Sequence, residues 1–193
     1  MPSPARTKGE RTREAILRAA IARFGRDGYR ATSVADIARD AGVGATAVYA
    51  YFPGKEALFL AAADEDAAGV IREGVSVLDA PIGAAWRESL IFTLVDAVER
   101  HPLARRLLAG LEPEVTERVL GVPALAELRK AVAERLRAEQ LAGNVRADID
   151  PVRVGSGLVT ILLSLLMSVV QVGRGAAAAL DPPRRTRGKN LSS

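Results

Sequence analysis

The sequence predicts an all-α protein in which an N-terminal three-helix helix-turn-helix domain precedes a larger helical bundle. Three observations carry that expectation. Val34, Ile37, Ala38 and Ala41 fall at i, i+3, i+4 and i+7, one apolar stripe on a short helix. The same period returns downstream in Leu125, Leu128, Val132 and Leu136. Finally, residues 154–173 run for twenty positions without a charge, and Leu158, Leu162, Leu165, Val169 and Val172 within them have the 4-3-4-3 spacing of a helical seam.

Taken in order, residues 1–8 form a basic arm containing Pro, Ser, Arg6 and Lys8. A first helix is expected over 9–27, burying Ile16, Leu17, Ala20, Ile21 and Phe24. Gly28 suits the left-handed position after its end, and Tyr29 can then reach back to Phe24. Ser33 is a good N-cap for the next helix, with Asp36 placed to return the bond as in a capping box. Gly42 stops that helix, Val43 points back to the core, and a third helix spans 44–51. Two short helices joined by a Gly-containing turn are the helix-turn-helix pattern, whose second helix suits the major groove of DNA. The pattern alone also suits a packing hairpin in a bundle.

Gly54 is a tolerable cap for a helix over 55–78, which Asp79, Ala80 and Pro81 break. A helix over 82–100 is apolar on two faces: Ile82, Trp86, Leu90, Thr93 and Ala97 on one, Ile91, Val95 and Val98 on the other. His101-Pro102 ends it. Short helices follow over 103–109 and 114–120, then a longer one over 123–141 with Lys130/Glu134 and Arg135/Glu139 pairs directed outward.

The residues flanking the helix-turn-helix narrow the choice. Ile16, Ala20, Phe24, Gly28, Tyr29, Thr32, Ile37, Ala38, Gly42, Val43, Tyr49, Phe52, Lys55, Glu56 and Leu58 stand in an order and spacing that resembles the DNA-binding domain of the TetR (tetracycline-repressor) family of bacterial regulators. The resemblance covers residues 9–60. It implies a DNA-binding domain at 9–53 and a ligand-binding and dimerisation domain at 54–173, while the Arg-, Ala- and Pro-rich composition of 174–193 suits a flexible basic tail. It further implies that Tyr49, Tyr51 and Lys55 hold the DNA backbone. Ser33, at a helix N-terminus, should add a phosphate contact.

Gly44, Ala45, Thr46 and Ala47 complete the candidate DNA face. None is Arg, Lys, Asn or Gln, so no bidentate contact to a base edge is available there. The family often carries Ser, a longer side chain and Gly where this chain has Gly44, Ala45 and Thr46. Methyl contacts and DNA shape are therefore expected to carry the readout.

Charge follows the same division. Residues 1–52 hold 9 Lys+Arg against 5 Asp+Glu, residues 53–173 hold 13 against 17, and the remainder 5 against 1. A basic head suits phosphate. There is no Cys and a single His, so neither a thiolate site nor a catalytic triad can be assembled, and no metal or cofactor is expected. An enzyme is disfavoured.

As the resemblance implies, the body holds a pocket for a small apolar effector. Trp86, Leu90, Thr93 and His101 are the candidate wall, although Trp86 equally suits a plain core position and His101, before Pro102, suits a helix-end cap. The uncharged stretch meets the length criterion for a membrane span, yet its Ser, Thr and Gln residues dilute it and a dimer would cover it, so Leu158, Leu162, Leu165, Val169 and Val172 are assigned to a homodimer interface with no membrane. The expected protein is a cytoplasmic repressor that binds a near-palindromic double-stranded DNA operator as a dimer and is released by its effector. The alternative is a DNA-binding protein without an effector, or one controlled by a protein partner.

Overall fold

The computed structural model describes residues 7–82, 85–112 and 123–180, with side chains as far as residue 173. Among the described residues are eight α-helices and no strand. They are α1 (Lys8–Ala31), α2 (Val34–Asp40), α3 (Ala45–Tyr51), α4 (Lys55–Ser76), α5 (Trp86–Arg100), α6 (Pro102–Leu108), α7 (Pro123–Leu141) and α8 (Pro151–Leu180), with a 3-10 turn at Val77–Asp79 after α4. The arm at 1–6, the short helix over 114–120 and the tail beyond residue 180 lie outside the described residues.

The head follows from its local chemistry. Thr7 caps α1: its Oγ1 accepts the Glu10 amide at 3.2 Å while Glu10 takes the Thr7 amide at 2.7 Å, a complete capping box. The helix therefore starts at Lys8, inside the stretch assigned to an arm. Its ladder breaks at Gly28, whose φ of 86° is left-handed, and the Phe24 and Tyr29 rings meet at 6.1 Å. Gly42, at φ 69°, closes α2 in a Schellman arrangement: the Val43 amide reaches the Ala38 carbonyl at 2.9 Å and the Gly42 amide reaches Arg39 at 3.1 Å. At Ser33 the hydroxyl accepts the Asp36 amide, but Asp36 takes the Ser33 hydroxyl at 2.6 Å, so half of a capping box forms.

Two hydrophobic cores are built on shared helices. Ile16, Phe24, Ile37, Val48 and Phe52 form the head core, completed by Leu58, Phe59, Ala62 and Ala63 from the first half of α4. Phe59 meets Phe24 and Tyr29 edge-on at 5.0 and 5.1 Å, geometry that contributes on the order of 1 kcal/mol per pair beyond burial. The second half of α4, through Val70 and Ile71, joins the body core of α5, α7 and α8. Helix α6 is divided likewise, with Leu103 and Leu107 in the head core and Ala104 in the body core.

Three expectations are corrected in the body. Helix α5 starts at Trp86 and leaves Ile82 exposed, because the Pro81-containing turn intervenes. Arg135 and Glu139 are buried: the guanidinium binds Glu139 at 2.8 Å and donates to the carbonyls of Leu78, Ala80 and Pro81, pinning the turn after α4. A buried guanidinium is tolerable because each donor finds an oxygen. Lastly, α8 continues to Leu180, through seven residues assigned to the tail.

Candidate nucleic-acid interface and apolar cavity

The exposed side of the helix-turn-helix presents Gly44, Ala45, Thr46 and Tyr49 to solvent, while Ala47 and Tyr51 are half-buried and Val48 is in the core. Tyr49 is 54% exposed, so its ring stands clear of the core. The Tyr51 hydroxyl lies beside Gly9 at the start of α1. Lys55 sits at the first turn of α4, with its Nζ 4.5 Å from the Tyr29 ring centroid and 3.4 Å from the Arg30 carbonyl oxygen. The lysine and both tyrosines thus belong to the small head formed by α1, α3 and the start of α4.

Ion pairs fix that head. Arg23 on α1 binds Asp40 at the end of α2 in two-pronged fashion, at 2.5 and 3.0 Å. Its guanidinium holds the Asp40 carboxyl below the usual range, as Arg26 does for Asp27. For Asp36 the Ser33 hydroxyl is the larger cause and Arg39 the second. Arg23, Arg26 and Arg39 therefore spend their charge on neighbouring carboxylates, a division of labour that the charge count did not reveal. Ser33 is an exposed helix cap whose hydroxyl proton goes to Asp36, so a phosphate there competes with a carboxylate. Sequence reasoning missed Arg13, whose guanidinium lies 5.3 Å from the Phe52 ring centroid at the end of α3.

Within the body is an apolar cavity of about 100 Å³. Helix α4 supplies Ala67, Val70 and Ile71, and α5 supplies Leu94 and Val98. Ala104, Leu107 and Leu108 come from α6, Leu125 and Leu128 from α7, and α8 closes it with Val159, Leu162, Leu163, Leu166 and Met167. Trp86, Leu90, Thr93 and His101 do not line it. Trp86 and Leu90 are 2% exposed in the body core, Trp86 between the Arg87 and Arg135 guanidinium groups at 4.7 and 5.9 Å from its centroid. Thr93 is half-buried. On α5 it is aliphatic Leu94 and Val98, one turn apart, that border the gap.

His101 joins α4 to α6 instead. Its Nδ1 is 2.8 Å from Asp66 Oδ1, and its Nε2 is 3.3 Å from Glu73 Oε1. The other Asp66 oxygen accepts the Leu103 and Ala104 amides, each at 2.9 Å, so a side chain of α4 caps the first turn of α6. Gly69 lies under the imidazole, where a Cβ would collide with Cε1. Glu73 is held below the usual carboxylate range, chiefly by Arg100 and less by His101. Among the described residues no group of three or more His, Cys, Asp or Glu could hold a metal.

Helix α6 also meets the head closely. Pro102 stands 2.8 Å from where a Cβ of Gly25 would be. Glu112 binds Arg106 at 2.6 Å and accepts the Tyr29 amide at 3.2 Å, with Gly28 packed against both side chains. On α8, Leu158 and Leu162 turn partly inward, and Leu162 borders the cavity. Leu165, Val169 and Val172 are exposed at 40%, 44% and 72%, joined by Ile161 at 66%. The Pro151–Gly173 segment contains an 18-residue window of mean hydropathy 1.9 and is long and apolar enough to cross a membrane by length and composition.

Residues 16–62 match the family profile described as bacterial regulatory proteins, tetR family. No curated protein matches the chain. Among solved structures, a TetR-family transcriptional regulator from Mesorhizobium loti is similar at TM-score 0.69 and 24% identity, covering 86% of each chain. A Thermus thermophilus TetR-family repressor, solved in complex with lauroyl-CoA, is similar at TM-score 0.58 and 26% identity, covering 86% of this chain and 88% of its own. A gamma-butyrolactone receptor is similar at TM-score 0.53 and 26% identity, covering 89% and 88%.

Proposed function

Through residues 16–62 the chain belongs to the tetR family of bacterial regulatory proteins, and from that premise we propose that it is a cytoplasmic homodimeric repressor released from its operator by a small apolar effector. DNA binding is the coarser part of this reading, and the helix-turn-helix supports it. Ala45 and Thr46 offer methyl groups to thymine, while Tyr49, Tyr51 and Lys55 hold phosphates and set register. The exposed Ile161, Leu165, Val169 and Val172 side chains make a continuous apolar strip on α8 that a second copy would cover. Leu158 and Leu162 then support the seam from behind rather than forming it.

One observation carries the effector part. Leu107 lines the cavity and also belongs to the head core. An occupant that displaces α6 therefore acts on α1 directly, without a relay through loops, and shifts the head between two settings. In one setting the paired α3 helices match successive major grooves about 34 Å apart; in the other they do not. The solved complex of the Thermus thermophilus repressor with lauroyl-CoA fits an effector-responsive reading.

The test selects duplexes from a random pool with the purified protein, then measures mass by light scattering and operator shift for wild type and Leu165→Arg. A near-palindromic site bound by a dimer is expected, with both properties lost together in the variant. Since Leu165 is 40% exposed within one subunit, the variant should remain folded. A dimeric, operator-binding Leu165→Arg protein would place the interface elsewhere.

A further inference from the structure

We propose that the occupant of the cavity is a compact neutral hydrocarbon, a single aromatic ring or a short branched chain, bearing no charge and no hydrogen-bonding group. The assignment rests on the effector reading above and specifies its chemistry. Among the described residues fifteen line the cavity, and none of these has a nitrogen or oxygen in its side chain. A carboxylate, amine or amide taken into this space would surrender its bonds to water and find no replacement. Selectivity by rejection of polar groups is a property of the whole wall rather than of one residue.

Size restricts the occupant further. At about 100 Å³ the cavity is of the order of the 150 Å³ engineered apolar cavity that stays dry and binds benzene or xenon. A long acyl chain cannot be enclosed in such a volume; most of it would run out past the rim. The floor is closed by buried Leu94, Leu128, Val159 and Leu166, and Leu94 already touches the space over Gly74, so the cavity cannot lengthen along α4. The half-buried Leu108, Leu125, Leu163 and Met167 stand at the outer rim, equally apolar. Gln171, the polar side chain that reaches Leu108, spends its amide on that residue's carbonyl at 3.3 Å. Met167 adds a polarisable sulfur, which favours a ring edge over a saturated chain.

The experiment titrates full-length protein with toluene, benzoate and dodecanoate, reading binding by calorimetry and thermal shift, and DNA release by operator shift. Toluene should bind and raise Tm in a dose-dependent way, with benzoate about a hundredfold weaker or worse. Ala67→Leu, which places three extra carbons in the cavity, should abolish toluene binding. Leu162→Ala, which enlarges it, should instead admit naphthalene, so that one variant reports even if the other does not fold. Tighter binding of benzoate or dodecanoate than of toluene, or no binding by any of the three, overturns the assignment. Toluene binding that leaves the operator complex intact upholds the ligand class and sinks the release mechanism.

Discussion

Removing the Asp66 carboxylate should disconnect α4 from α6. The side chain is 5% exposed and accepts two α6 amides at 2.9 Å while meeting His101 at 2.8 Å. In Asp66→Ala the Leu103 and Ala104 amides remain buried, at 0% and 7% exposure, with no acceptor. Each orphaned donor costs about 1–3 kcal/mol, and loss of a helix cap is about 1 kcal/mol in more exposed settings. A total of about 3–5 kcal/mol follows, which for a chain of this size lowers Tm by about 6–20 °C. Asp66→Asn keeps one oxygen and should lose roughly half as much. Gly69→Ala, which drives a methyl against His101, should weaken the same joint and be less than additive with Asp66→Ala. Differential scanning calorimetry at one protein concentration measures all of these. A shift of under about 2 °C for Asp66→Ala would refute the view that this carboxylate caps α6.

Lys55→Ala should weaken binding to every DNA sequence alike and reduce the salt slope by about one per subunit; loss confined to particular base substitutions would contradict a phosphate role. Trp86→Ala should destabilise the body by about 3–5 kcal/mol, because the ring is 2% exposed in the core, and an intact Tm with altered induction would move the effector site toward it. On acidification, Asp27, Asp36, Asp40 and Glu73 are all held below the ordinary carboxylate range in the folded protein. Each binds its proton more readily when unfolded, so their contribution is complete above about pH 5 and fades as pH falls through about 4 and below. Urea midpoints that hold steady from pH 6 to pH 3 would exclude these pairs as contributors.

The helices of the head were legible because their signals are local. Ser33, Gly42 and Gly28 each act within a turn or two, through a cap or a left-handed φ, and the Thr7/Glu10 box had the same local signature at the edge of the presumed arm. Thr46 and Tyr49, assigned to the DNA face, are exposed, with Val48 inward between them. Period says which face of a helix is apolar, but not what covers it. So Arg135 and Glu139, an ordinary i,i+4 pair by spacing, could equally have been solvated; the unpaired carbonyls after α4 decided for burial. The uncharged run in α8 likewise divided into an inward part that borders the cavity and an outward strip, since the neighbouring α5, α6 and α7 determine which side is left open. The cavity itself had no sequence signature at all. It is the space left where five of the described helices meet, and a void is fixed by their relative positions, a property that no single helix encodes.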